Sequence, residues 1–124
     1  MSIPDYETMM LPLLNFLGDK KEHSLYEVIG HIAEVFNISE RERRELMPSG
    51  SESIMKNRVR WARLYLDGAG LIESARRDFC NITERGVEVL YEKPTKIDVK
   101  FLRRFPEFVQ FLKLRRVQMW QHMK

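Results

Sequence analysis

A mainly α-helical chain with one small β-hairpin is what the sequence predicts, and three observations carry that expectation. Apolar residues recur every three or four positions in several separate segments. Two of those segments open with the capping-box spelling, Ser24 with Glu27 and Ser39 with Glu42. Two short β-type runs, Leu71 to Ser74 and Phe79 to Ile82, flank Ala75, Arg76, Arg77 and Asp78 as the arms of a hairpin. Helices first, then a basic helix, then a hairpin is the order of a winged helix-turn-helix, here with an extra C-terminal helix.

Each element follows from local chemistry. Tyr6, Met9, Met10, Leu13, Leu14 and Leu17 have the spacing of a helix burying one face, with Gly18 as its stop and Pro12 expected to kink it. Leu25, Val28, Ile29, Ile32, Ala33 and Phe36 make the unbroken stripe of a second, scaffolding helix. RERRELM predicts a brief surface helix anchored by Leu46 and Met47, closed by Pro48, Ser49 and Gly50. From about Ser53 to Ala69, Met55, Val59, Ala62, Leu66 and Ala69 form a buried face that Ile54, Trp61 and Tyr65 broaden, with Gly68 and Gly70 at the end. Arg58 points to the apolar side, where it snorkels along the core edge or escapes near the helix start.

Thr83 caps a helix through Tyr91, with Val87, Leu90 and Tyr91 inward and Pro94 as its stop. Asp98 opens a further turn, and Pro106 suits the first position of a final helix. That helix carries two apolar stripes: Phe105, Phe108, Val109, Leu112, Met119 and Met123, and then Phe111, Leu114, Val117 and Trp120. Two stripes need two partners, which makes the Pro106 to Met123 helix the expected seam for a homodimer or a following domain.

At 124 residues the chain is expected to be a single domain, 1–124, with its core over about 3–93 and a helical extension over about 98–124. Its apolar fraction of 44% and charged fraction of 31% are those of an ordinary globular protein. Cys80 is the only cysteine, so an internal disulfide and a multi-thiolate metal site are excluded, and a cytoplasmic location is expected. No apolar run is long enough to span a membrane, and MSIPDYE is not a signal peptide. The net charge of +3 is unevenly spread: −4 over 1–37 (two basic, six acidic residues), +1 over 38–74 (seven and six) and +6 over 75–124 (twelve and six). A basic second half suits a polyanionic partner, although a solvated surface gives the same number.

The segment that organises the chain is 49–77, SGSESIMKNRVRWARLYLDGAGLIESARR. On the face opposite the apolar stripe its helix gathers Ser53, Lys56, Asn57, Arg60, Arg63 and Asp67, and Arg76 and Arg77 sit at the hairpin tip. Donors of this kind, set on a helix start and a loop, suit phosphate contact from serines and backbone N–H groups, and base-edge contact from Asn or Arg in a major groove. Ser51, Ser53, Lys56, Asn57, Arg60 and Arg63 are therefore the expected helix contacts to double-stranded DNA, with Arg76 and Arg77 as wing contacts. Asn57 and Arg60 are the expected base readers.

Catalytic chemistry has little to stand on. His23, His31 and His122 lack metal-ligand spacing, Cys80 has no neighbouring histidine in sequence, and GDK and SGS are turns rather than phosphate-cradling loops. The acidic residues form no separated Asp and Glu-x-Lys array. The expectation is no catalytic residue, no metal site and no cofactor.

Several blocks, taken in order, resemble a known family: IPDYETMMLPLLNFLGDKKEHSLYEVI, ELMPSG, NRVRWARLYLDGAGLI, ITERG and KIDVKFLRRFPEFVQF look like the N-terminal domain of Mrr-type restriction endonucleases. The resemblance runs from Ile3 to about Phe111. It implies a winged-helix fold and a DNA-binding, targeting role in an enzyme that cuts modified, usually methylated, DNA. Its family pattern supports the core positions Trp61, Ala62, Leu66, Gly70 and Leu71 better than any base contact. The family's nuclease is a separate C-terminal PD-(D/E)xK domain with divalent metal, and Lys124 falls before such a domain could begin, so the expectation is a targeting half without the cutting half. The rival expectations are a dimeric winged-helix transcriptional regulator and a winged-helix protein-interaction module.

Overall fold

The computed structural model describes residues 3–122, with side chains described as far as Arg115. Its elements are α1 (Tyr6–Phe16), β1 (His23–Ser24), α2 (Leu25–Val35), α3 (Glu40–Arg43), α4 (Ile54–Gly68), β2 (Ile72–Glu73), β3 (Phe79–Ile82), α5 (Glu84–Tyr91), α6 (Val99–Leu102) and α7 (Pro106–His122). The mainly helical class with a small antiparallel sheet is the one expected from sequence. Helix α1 lies at the centre of the packing: Met9, Met10, Leu13 and Leu14 are fully buried against α4 and α2. Pro12 sits within α1, and the helix continues to Phe16. A mid-helix proline costs about 3 kcal/mol. Each of the four buried side chains returns about 1.5–3 kcal/mol, so packing outweighs the lost bond. Gly18 is not the left-handed stop; it lies in a 3₁₀ turn, Leu17–Asp19, and Lys20 takes the left-handed conformation at φ 65°.

The sheet has the order β1-β3-β2, so β3 is central. The hairpin pairs Ile72 with Ile82 and Glu73 with Asn81, which puts Ala75–Asp78 in the turn. Strand β1, which the sequence reading did not foresee, pairs His23 with Cys80 and Ser24 with Phe79. Two residues are too short for a period-two signal to be read.

The Ser24/Glu27 capping box forms, with Glu27 N donating to Ser24 Oγ at 3.1 Å and Ser24 N donating to the Glu27 carboxylate at 3.0 Å. Ser24→Ala should therefore cost about 1 kcal/mol, read as a lowered urea midpoint with unchanged slope. His23, beside it, lies between Asp19 Oδ2 (2.8 Å) and Glu27 Oε2 (2.9 Å). Partial burial pulls its pKa down, but the hydrogen bonds it donates to Glu27 and Asp19 and their charges together raise it above 6.5. With a raised folded value, the stabilisation is complete below about pH 6.5 and is lost as pH rises through the folded pKa. Urea midpoints across about pH 5–8 should decline over that interval, and His23→Gln should flatten the decline.

Helix α4 is capped by Ser53, whose Oγ accepts from Lys56 N, and buries Met55, Val59, Ala62 and Leu66 as expected. Tyr65 is the hub of an aromatic group, with ring centroids 5.1 Å from Tyr6, 6.0 Å from Trp61, 5.8 Å from Phe108 and 5.7 Å from Phe111. Arg58 donates to the carbonyls of Ile3 and Pro4, which ties the start of the chain to the edge of α4. Phe111 packs so closely on Gly68 that a Cβ there would lie 2.7 Å from the ring.

Three further expectations need correction. Leu46 does not anchor the α3 segment: it is 60% exposed, and its backbone instead bridges to Ser53. Tyr91 is exposed at the end of α5, and Val89 is buried in its place. Phe111, assigned to a second face of α7, packs on the chain's own core beside Phe108, while Leu114 is exposed. The side chains of Val117, Met119, Trp120 and Met123 lie outside the described residues.

Candidate nucleic-acid interface

The outer face of α4 is flanked by the hairpin on one side and by α7 on the other. Arg63 Nη2 donates to Ser74 Oγ at 3.1 Å, which joins α4 to the end of β2. Across the helix, the Arg115 guanidinium of α7 stacks over Trp61, 4.8 Å from the ring centroid. Between them runs an open groove of about 430 Å³ lined by Asn57, Arg60, Trp61, Arg63, Leu64, Asp67 and Arg115. Asn57, Arg60 and Arg63 are thus brought together as expected, and Arg115 adds a cation that no pattern within α4 could have announced. Its placement comes from the docking of one helix on another.

Lys56 and Ser53 face the other way, into a second groove of about 490 Å³ shared with Ser24, Leu25, Tyr26, Ile29, Glu40, Arg43, Arg44, Asp78 and Phe79. Tyr26, at the start of α2, is 87% exposed there. It stands off the apolar stripe of α2, so a helical projection of the sequence was enough to find it, and the sequence reading passed over it. Ser53 has its hydroxyl oxygen engaged as the N-cap of α4 at 3.1 Å from Lys56 N. Ser51 is exposed in the preceding loop, with its hydroxyl 2.9 Å from that of Ser49.

The hairpin tip presents two different arginines. Arg76 donates from Nε (3.1 Å) and Nη2 (2.9 Å) to Glu22 Oε1, and its guanidinium lies 3.9 Å above the Phe79 ring. Arg77 is exposed and makes no ion pair or side-chain hydrogen bond among the described residues. Arg60 is likewise held by an acid, with Nη1 2.9 and 2.8 Å from the two Glu52 oxygens. The more exposed Arg76–Glu22 pair is worth at most about 1 kcal/mol, so a polyanion can displace it. Sequence reading missed both Glu22 and Glu52, because partners fifty-four and eight positions away leave no periodic trace.

Among the described residues there is no cluster of three or more His, Cys, Asp or Glu side chains able to hold a metal ion. Cys80 is buried, and burial pushes its thiol pKa up, away from nucleophilic behaviour. Although β1 sets His23 opposite Cys80 in register, the imidazole is engaged by Asp19 and Glu27. Among the described residues no helix is long and apolar enough to cross a membrane.

The class this arrangement defines is a mainly helical module that offers a cationic helix face and a cationic hairpin tip. A family model, the Mrr N-terminal domain, matches residues 6–92, and the chain belongs to that family, a domain of Mrr-type restriction systems. The match takes in α1 through α5 and so includes α4 and the hairpin. Comparison with curated proteins and with solved structures gives no match.

Proposed function

We propose that this chain is the winged-helix DNA-binding, targeting domain of an Mrr-like, modification-dependent restriction endonuclease, acting in the cytoplasm as one domain with a C-terminal helical extension. The observation that supports this best is the joining of α4 to the hairpin through Arg63 and Ser74, which sets Arg63 beside the segment that carries Arg76 and Arg77, with Arg60 lining the same groove as Arg63. Lys56, Arg63, Arg76 and Arg77 contact phosphate, with the Ser51 hydroxyl contributing a neutral donor. Ser53 acts through its capping of the start of α4. Asn57 and Arg60 face base edges. Cutting belongs to a nuclease domain joined through the C-terminal helix, and this chain itself is not an enzyme.

Fluorescence anisotropy of a labelled duplex, methylated and unmethylated, tests the reading. Tight binding at about 50 mM salt that weakens steeply by about 200 mM is expected, because each neutralised phosphate contributes about −0.9 to the slope of log K against log salt. Absence of binding to both duplexes at the lower salt would remove the proposal.

A further inference from the structure

Glu52 has a position that a surface carboxylate rarely has. Its side chain is only 16% exposed, whereas that of its partner Arg60 is 54% exposed. The loop that carries it is pinned at three places: Ile54 N donates to Glu45 O at 2.9 Å, Met47 N to Glu52 O at 2.9 Å, and Gly50 N to Met47 O at 2.7 Å. Gly50 closes that turn at φ +74°, a conformation that a side chain would strain. The carboxylate is therefore fixed in place before the helix it serves begins.

From that fixed point Glu52 holds two side chains on successive turns of α4. Oε1 accepts from Asn57 Nδ2 at 2.9 Å and from Arg60 Nη1 at 2.9 Å, while Oε2 accepts from Arg60 Nη1 at 2.8 Å. Both of the Arg60 bonds leave from Nη1, so the edge formed by Nε and Nη2 has no partner among the described residues. That edge carries two parallel N–H donors, the pattern that matches O6 and N7 of guanine. Asn57 keeps its carbonyl oxygen and one amide hydrogen in the same way. Hydrogen bonding from Asn57, together with Arg60, holds the Glu52 carboxyl below the usual carboxylate range despite partial burial, so it is ionised at neutral pH.

We propose that Glu52 is a positioning residue for base recognition: it anchors Nη1 of Arg60 and the amide of Asn57 so that the Nε and Nη2 edge of Arg60 is presented to a guanine in the major groove. The inference rests on the DNA-binding reading and deepens it. A lysine at position 60 cannot reproduce this, since one ammonium cannot both hold the carboxylate and offer a two-donor edge. Removing the Glu52 charge has an opposite effect on general attraction, because it deletes a negative group that faces the phosphates. Selectivity and overall affinity should therefore part company.

Duplexes with randomised internal positions, selected by binding to the wild-type chain, Glu52→Gln and Arg60→Lys, and then sequenced, read both quantities. The wild type should favour guanine at one position by about tenfold or more over the other bases. In Glu52→Gln and in Arg60→Lys that preference should fall to about threefold or less on the same scale. Glu52→Gln should bind the unselected pool at least as tightly as the wild type, and urea melts of both variants show that they are folded. Retention of the guanine preference in either variant would overturn the proposal, as would a wild type that binds the pool with no base preference; either result leaves the DNA-binding reading standing. Failure of the wild type to bind the pool at low salt would defeat that reading and this inference together.

Discussion

Replacing Arg60, Arg76 and Arg77 together with alanine should lower affinity for duplex DNA by at least about a hundredfold at roughly 0.1 M salt while leaving the chain folded. A charge-assisted contact is worth about 1.5 kcal/mol or more, roughly tenfold in binding. The loss is compounded because Glu52 and Glu22, now balanced by Arg60 and Arg76, would face the phosphates unpaired. The slope of log K against log salt should become shallower by about 0.9 for each arginine that meets a phosphate. Stability should fall only modestly, since the exposed Arg76–Glu22 pair contributes at most about 1 kcal/mol and Glu52, without Arg60, keeps its hydrogen bond from Asn57. Anisotropy titrations over a salt series, with urea melts of the same variant, separate the two effects. Undiminished binding by a folded variant would move the interface elsewhere.

Gly86→Ala should produce the largest loss of stability of any single methyl addition in the described chain. A Cβ there would lie 2.2 Å from the Leu71 carbonyl oxygen and 2.6 Å from Ile82 Cγ1, one a backbone atom and the other a packed core side chain. Neither can yield without moving the junction between α4, β2 and α5. That junction is already tightly bonded: Thr83 N donates to Leu71 O at 3.0 Å, Thr83 Oγ1 donates to Gly70 O at 2.6 Å, and Gly86 N donates to Thr83 Oγ1 at 3.1 Å. Overpacking costs about 1–3 kcal/mol, and contact with backbone puts this site at the upper end. About 3 kcal/mol is a large share of a small protein's stability and lowers Tm by roughly 10 °C. Because the strain falls where α4 hands over to the hairpin, DNA affinity should fall with it. A wild-type melting curve for Gly86→Ala would contradict the packing described here.

Most of the fold was legible because its determinants are local. Ser24 with Glu27 and Ser39 with Glu42 announce helix starts, and both boxes form. The stripe from Met55 to Ala69 announces α4, and its five residues are buried. What escaped was set by contacts distant in sequence. Strand β1 exists because His23 and Ser24 lie against β3, and Leu46 is exposed because the loop after α3 pairs its backbone with the start of α4. Phe111 was misassigned for a similar reason: a stripe on α7 shows that a partner is needed without showing that Tyr65 and Gly68 supply it.

The candidate site divides in the same way. The cations of α4 and of the hairpin tip could be read from helical geometry and turn chemistry. Their carboxylate partners Glu52 and Glu22, and the added cation Arg115, appear only once the elements are packed. Sequence therefore located the face, and packing revealed which of its donors are engaged and which remain open.

The central claim is that the outer face of α4 and the hairpin tip form one DNA-binding surface, and amide chemical-shift mapping tests it most directly. On addition of a short duplex to the isotope-labelled chain at low salt, the largest shifts should fall on 51–63 and 74–78, with the Arg60 Nε and Asn57 side-chain signals among them. Shifts centred instead on the exposed side of α5 around Tyr91, or no shifts at all, would contradict it.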